Sequence, residues 1–153
     1  MSIERQDIDD IAITGVGEPV WFTALVRETA ELDRTGVGAA VLSLRLTAEG
    51  ETSRNATQVR HLLRRLLRST DRVGQLSPTV FSVLLAPLDS IADTASQIHA
   101  LTTALSDAGL TASAGFAHRR DSESLLDTWA RADAQSDRAA YRAEHHEGLR
   151  LDE

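Results

Sequence analysis

Asp71-Arg-Val-Gly-Gln-Leu-Ser-Pro-Thr-Val-Phe-Ser-Val-Leu-Leu85 is the stretch from which the fold can be read. Val73 and Leu76 precede a Ser77-Pro78 break, and Val80, Phe81, Val83, Leu84 and Leu85 follow it. Apolar runs on both sides of a short Ser-Pro break predict a β-hairpin, with strands over 71–76 and 80–86. Phe81 lies within the second run and is expected to be buried. Pro87 lacks an N–H and is expected to end that strand.

The pattern extends outward in both directions. Glu18-Pro19 suits a helix start, since Pro is accommodated in the first turn. Phe22, Leu25, Val26, Thr29 and Leu32 then recur at helical spacing, and Gly36 and Gly38 close the helix. Residues 39–46 are almost continuously apolar, as a buried strand should be. A polar loop over 47–53 leads into a second amphipathic helix, about 54–69, marked by Val59, Leu62, Leu63, Leu66 and Leu67. Beyond the hairpin, Asp89 or Ser90 caps a helix that runs through Ile91, Ala95, Ile98, Leu101 and Leu105 to about Asp107, with Gly109 as its stop. Residues 111–117 form a further strand of small residues. Asp121 or Ser122 caps a long last helix through Leu125, Leu126, Trp129, Ala132, Ala140 and Tyr141, on which Trp129 and Tyr141 are expected to pack against the sheet.

Without the first and last helices the order is β, α, β, β, α, β. That is the split βαβ arrangement: an α+β, ferredoxin-like (palm-type) fold, with an antiparallel sheet and helices packed on one face. A single domain over 14–148 is expected, with a lead-in over 1–13 and a short polar tail over 149–153. A chain of 153 residues is long enough to bury a core.

Composition narrows the functional classes. There is no Cys, so disulfides and thiolate metal sites are excluded. No apolar run approaches the roughly 18–20 residues of a membrane span, and the first ten residues are polar and acidic, unlike a signal peptide. The expected setting is the cytoplasm. A net charge of −7 disfavours nonspecific nucleic-acid binding, which depends on phosphate neutralisation. All 16 basic residues are Arg, so no Lys is present to contact a triphosphate.

The hairpin resembles the signature of GGDEF domains, the diguanylate cyclase family, which reads roughly D-R-V-G-R-L-G-G-D-E-F-x-V-L-L. The flanks match position by position, but Ser77-Pro78-Thr79-Val80-Phe81 stands where the family has Gly-Gly-Asp-Glu-Phe. In the family the glycines let the backbone approach the nucleotide, and the two acids serve metal binding and catalysis. Ser77 restores a Cβ, and Pro78 fixes φ and removes a donor. Thr79 is a poor replacement for a carboxylate on Mg²⁺, and Val80 offers no oxygen.

The resemblance covers nearly the whole chain. Residues 14–22 are similar to T-G-L-x-N-R-x-x-F, with Glu18-Pro19 in place of Asn-Arg. The first strand is similar to L-x-D-x-D, whose first Asp holds metal; Ser43 and Arg45 occupy those positions, and a guanidinium there repels a divalent cation. The guanine-recognition segment is largely missing around 47–53. Residues 113–117 are similar to S-I-G-I-A. Residues 137–144 are similar to A-D-x-A-L-Y-x-A-K, with Glu144 at the phosphate-binding Lys, and a helical turn is inserted around 129–137. The resemblance therefore implies the family's fold and not its activity.

One family motif persists. Arg68-Ser-Thr-Asp71 is similar to the R-x-x-D inhibitory site, with Asp71 six positions ahead of Ser77. An Arg fork suits phosphate and guanine, and a carboxylate accepts from guanine N–H groups. The resemblance implies a cyclic di-GMP site at Arg68 and Asp71, completed by an Arg from a second copy in a homodimer. Asp71 also reads as an ordinary cap between helix and strand. Arg60, Arg64 and Arg68 fall on one helix face, with Arg65 and Arg72 close by; the stripe suits either an anionic ligand or partner, or a solvated face. His145 and His146 point to different sides of a helix and have no third ligand at metal spacing. Ser43, Ser77 and Ser113 have no His–Asp partners for nucleophilic catalysis.

These observations favour a catalytically inactive GGDEF-like domain, with no metal or other cofactor, acting as a bacterial signalling or protein-interaction module. The alternative is a cyclic di-GMP receptor using Arg68 and Asp71. The sequence does not name the protein partner.

Overall fold

The computed structural model describes residues 15–16, 18–47, 52–88 and 90–152, with backbone only for 15–16, 18, 52–54 and 143–152. The lead-in over 1–13, Thr14, loop residues 48–51, Asp89, and the side chains of Glu144, His145 and His146 lie outside the described residues.

The elements in chain order are β1 (Gly15–Val16), α1 (Glu18–Thr35), β2 (Gly38–Leu46), α2 (Thr52–Leu66), β3 (Arg72–Ser77), β4 (Val80–Leu88), α3 (Ile91–Asp107), β5 (Ala112–His118) and α4 (Leu125–Asp152). The run from β2 to β5 is the expected split βαβ order. The sheet order is β1-β3-β4-β2-β5, antiparallel throughout except for the two-residue β1, which runs parallel to β3. β1 is too short to show a period and was not foreseen in the sequence.

Helices cover both faces of the sheet, not one. Successive strand residues point to opposite sides. On one side Leu42, Leu44, Phe81, Val83 and Leu85 pack with Val59 and Leu63 of α2 and Leu101 and Leu105 of α3. On the other, Val41 and Leu84 pack with Trp21, Leu25 and Leu32 of α1 and Leu125 and Ala132 of α4. The two flanking helices therefore supply the second layer. Being enclosed on both sides is why β2 and β4 are apolar almost without interruption. Phe81 is fully buried, as expected, opposite Leu44.

Several local expectations shift. β4 runs through Pro87 to Leu88, because the register with β2 slips between Gly38 and Ala40, and a bulge tolerates a residue that cannot donate. Ser90 caps α3, its hydroxyl accepting from Asp93 N. The cap of α4 is Ser124, not Asp121 or Ser122; its hydroxyl accepts from Asp127 N. On α1 the buried stripe is Trp21, Leu25 and Leu32, while Val26 faces solvent. Trp129 packs edge-on to Phe22 at 4.9 Å, but Tyr141 is exposed and does not pack on the sheet. The expected tail from 149 is helical to Asp152, since Gly148 costs a helix only about 1 kcal/mol and good helix formers flank it.

Two glycines position the layers. A Cβ on Gly74 would lie 2.4 Å from Trp21 Cε3, so the missing side chain lets the indole lie flat on β3. A Cβ on Gly115 would lie 2.3 Å from Ala132 O, so α4 crosses β5 in direct backbone contact.

Candidate functional site

The hairpin tip is closed by its own backbone and side chains. Ser77 pairs with Val80 after a register slip from Gln75. The Ser77 hydroxyl accepts from Thr79 N at 3.3 Å, and Thr79 O accepts from Leu46 N at 2.8 Å. Pro78 is exposed, Thr79 and Val80 are half-buried, and Phe81 anchors the strand below. The five signature positions thus form a tight turn with hydroxyls and no carboxylate.

Close by in β2, Ser43 and Arg45 share the sheet face covered by α4. Ser43 is fully buried and donates to Asp133 Oδ1 at 3.0 Å. Arg45 Nη2 lies 2.9 Å from both Asp133 oxygens. Asp133 was not picked out in the sequence, where it reads as one acid among many. Its only signal is its place in the helical turn inserted relative to the resemblance. The close approach of α4 over Gly115 delivers it, helped by Ser136 donating to Ser113 O and Phe116 N donating to Gln135. The result is a guanidinium–carboxylate pair, a poor setting for Mg²⁺. Among the described residues no group of three His, Cys, Asp or Glu side chains is placed to hold a metal ion.

A ligand site at the motif needs Arg68 and Asp71 exposed side by side; instead the two side chains pair with each other, and Asp71 is enclosed. The Asp71 side chain is 0% exposed and that of Arg68 is 42% exposed. Asp71 Oδ1 takes Arg68 Nη2 at 2.9 Å and Ala86 N at 3.4 Å. Its Oδ2 takes Arg68 N at 2.9 Å, Arg68 Nε at 3.3 Å and Gln97 Nε2 at 3.1 Å. The carboxylate ties the end of α2 to β4 and α3, which is the capping reading extended into a hub. Arg68 borders a cleft of about 250 Å³ with Arg64, Leu67 and Val73. On the other flank of α2, His61, Leu62, Arg64, Arg65 and Ala108 line a cleft of about 450 Å³.

A second, half-buried cluster had no sequence signal. Glu123 accepts from Arg131 Nε at 3.0 Å and Nη2 at 2.6 Å, from Thr128 Oγ1 at 2.8 Å and from Arg120 N at 3.1 Å. The Arg131 hydrogen bonds are the main reason its carboxyl falls from the usual 4.5 to about 2, against the opposing effect of burial. Arg131 also donates to His118 O at 2.7 Å. This cluster fastens the start of α4 to the end of β5.

No protein-family model and no curated protein sequence matches the chain. Solved structures do match. The isolated GGDEF domain of YfiN (TpbB) from Pseudomonas aeruginosa superposes with TM-score 0.72 at 19% identity, over 82% of this chain and 84% of that one. The chain has the fold of a GGDEF domain. The GGDEF domain of DgcB from Caulobacter crescentus, solved in complex with c-di-GMP, matches with TM-score 0.71 at 17% identity, over 82% and 85% of the two chains. The diguanylate cyclase SiaD from Pseudomonas aeruginosa, solved with its activator SiaC, matches with TM-score 0.69 at 20% identity, over 82% of this chain and 55% of that one. On this GGDEF-like frame the signature hairpin is β3–β4, and Ser43 and Arg45 lie in the neighbouring interior strand β2.

Proposed function

We propose that this GGDEF-like domain makes no cyclic di-GMP and acts in the cytoplasm as a signalling or protein-interaction module. The Ser43–Arg45–Asp133 arrangement carries the reading. Where the resemblance expects a metal-binding carboxylate, a buried hydroxyl and a guanidinium are held by Asp133. Two-metal phosphoryl chemistry needs carboxylates to hold the ions against the phosphates, and the Ser77–Val80 turn supplies none. The test is a nucleotide assay with GTP and Mg²⁺ or Mn²⁺. We expect no cyclic di-GMP above a heat-inactivated control, and product above that control from the intact chain would refute the reading.

A second reading, a cyclic di-GMP receptor, is kept because Arg68 is half-exposed beside a cleft and DgcB holds that ligand. It ranks below the first because every Asp71 oxygen already has partners within the fold. Calorimetry at high protein concentration decides it. Binding that Arg68→Ala removes, with dimer formation, supports the receptor; absence of heat ends it.

A further inference from the structure

We propose that the arginine face of α2 docks an acidic amphipathic helix of a partner protein. This rests on the interaction-module reading and names the surface that such a module uses.

Charge segregation is the first observation. Residues 52–70 hold five Arg and no Asp or Glu, so the remainder of a chain of net −7 carries −12. The positive segment is a single helix and its exit, not a scatter of Arg over the surface. Arg60 and Arg64 stand one turn apart, about 6 Å along the axis, with Arg65 beside them. That matches carboxylates at i and i+4 on a facing helix.

Shape is the second observation. Each flank of α2 is hollow: about 450 Å³ beside Leu62, His61 and Ala108, and about 250 Å³ beside Leu63, Leu67 and Val73. Leu66, between them, is exposed. A purely ionic ligand gains nothing from these apolar walls. A helix with a Leu stripe beside its acids fills them and pairs with the arginines together.

The surrounding charge chooses among anions. A nucleic acid carries charge along its whole length and would meet the strongly acidic remainder of the chain. A short helix stays on the positive face, and beyond a Debye length of about 8 Å the acids elsewhere are largely screened. Within a second copy, α1 is a poor occupant, because its Glu31, Asp33 and Glu28 are already paired with Arg34, Arg119 and Arg72.

The experiment titrates the full chain into a labelled helical peptide of roughly 18 residues, about 27 Å long, with Glu at i, i+4 spacing beside a Leu stripe. Its Glu→Gln counterpart and a single-stranded oligonucleotide of similar length serve as comparisons. The acidic peptide should bind, weaken with added salt, and perturb amide resonances at Leu62 and Ala108. Arg60→Glu with Arg65→Glu should weaken it at least tenfold without moving the melting temperature. Four outcomes overturn the proposal: no binding at about 1 mM peptide, equal binding of the Gln peptide, resonance shifts confined to another face, or an equally tight oligonucleotide. Cyclase turnover in the same preparation would count against the non-catalytic reading only, leaving the binding result to stand by itself.

Discussion

Arg45 on β2 and Asp133 on α4 form a two-pronged contact, with Arg45 Nη2 2.9 Å from each carboxylate oxygen. They are 88 residues apart in the chain, and the contact joins an interior strand of the sheet to the last helix. The side chains are 33% and 22% exposed, so the pair is only partly shielded from water. Removing Asp133 leaves both Arg45 and the Ser43 hydroxyl without their acceptor. Asp133→Ala should therefore lower stability by about 1–3 kcal/mol in urea unfolding. Arg45→Met with Asp133→Leu should cost less than the single change, because no charge is left stranded. Equal losses would mean that the pair is not the reason Asp133 is there.

The same contact sets a limit on repair. Thr79→Asp with Val80→Glu restores both signature acids, but Ser43 and Arg45 still occupy the strand below them. Product formation from GTP by this double variant should stay at background. Measurable turnover would show that Arg45 can be displaced from Asp133.

Asp71 should matter more to folding than Arg68. Its side chain is fully buried and takes hydrogen bonds from α2, β4 and α3. Asp71→Ala should cost roughly 2–4 kcal/mol, since several buried donors lose their acceptor. Arg68→Ala, at a half-exposed site, should cost about 1 kcal/mol. Denaturant melts of the two variants give the ranking directly, and the reverse order would contradict the hub.

Gly115→Ala should be destabilising by about 1–3 kcal/mol, because its Cβ meets the α4 backbone and not a side chain that can turn aside. Gly36→Ala is the informative contrast. No atom lies within 4 Å of a Cβ there, and the cost arises only from its φ of 71°. A thermal melt in which Gly115→Ala is neutral would mean that α4 can lift from β5.

Glu123 predicts a pH dependence. Its folded carboxyl is held at about 2, chiefly by Arg131, below the usual 4.5. A depressed carboxyl stabilises the fold fully above its unfolded value, and that stability is lost as the pH falls through the folded value. Melting temperature should thus drop between pH about 4.5 and 2, and the drop should be shallower in Glu123→Gln. Parallel curves for the two proteins would remove Glu123 as the cause.

The order of elements and the hairpin are legible from the amino-acid sequence alone. Period-2 and period-3.6 apolar patterns, the Ser-Pro break and the helix-stopping glycines are local signals, and short-range sterics enforce them wherever the segment lies. The buried Phe81 is also local enough to be read, since it sits in an apolar run, and so is Asp71 as a cap between helix and strand; its ion pair with Arg68 is not. Tertiary structure decided the rest. That α1 and α4 enclose the second face depends on two small gaps, at Gly74 and Gly115, that only packed neighbours reveal. Asp133 acquires its role because α4 crosses β5 at backbone contact, and Glu123 because Arg131 reaches back past the start of α4 to it and to the end of β5. Whether Asp71 faces water or the interior could not be read from a four-residue motif, since its burial is made by Ala86 and Gln97, brought alongside by β4 and α3.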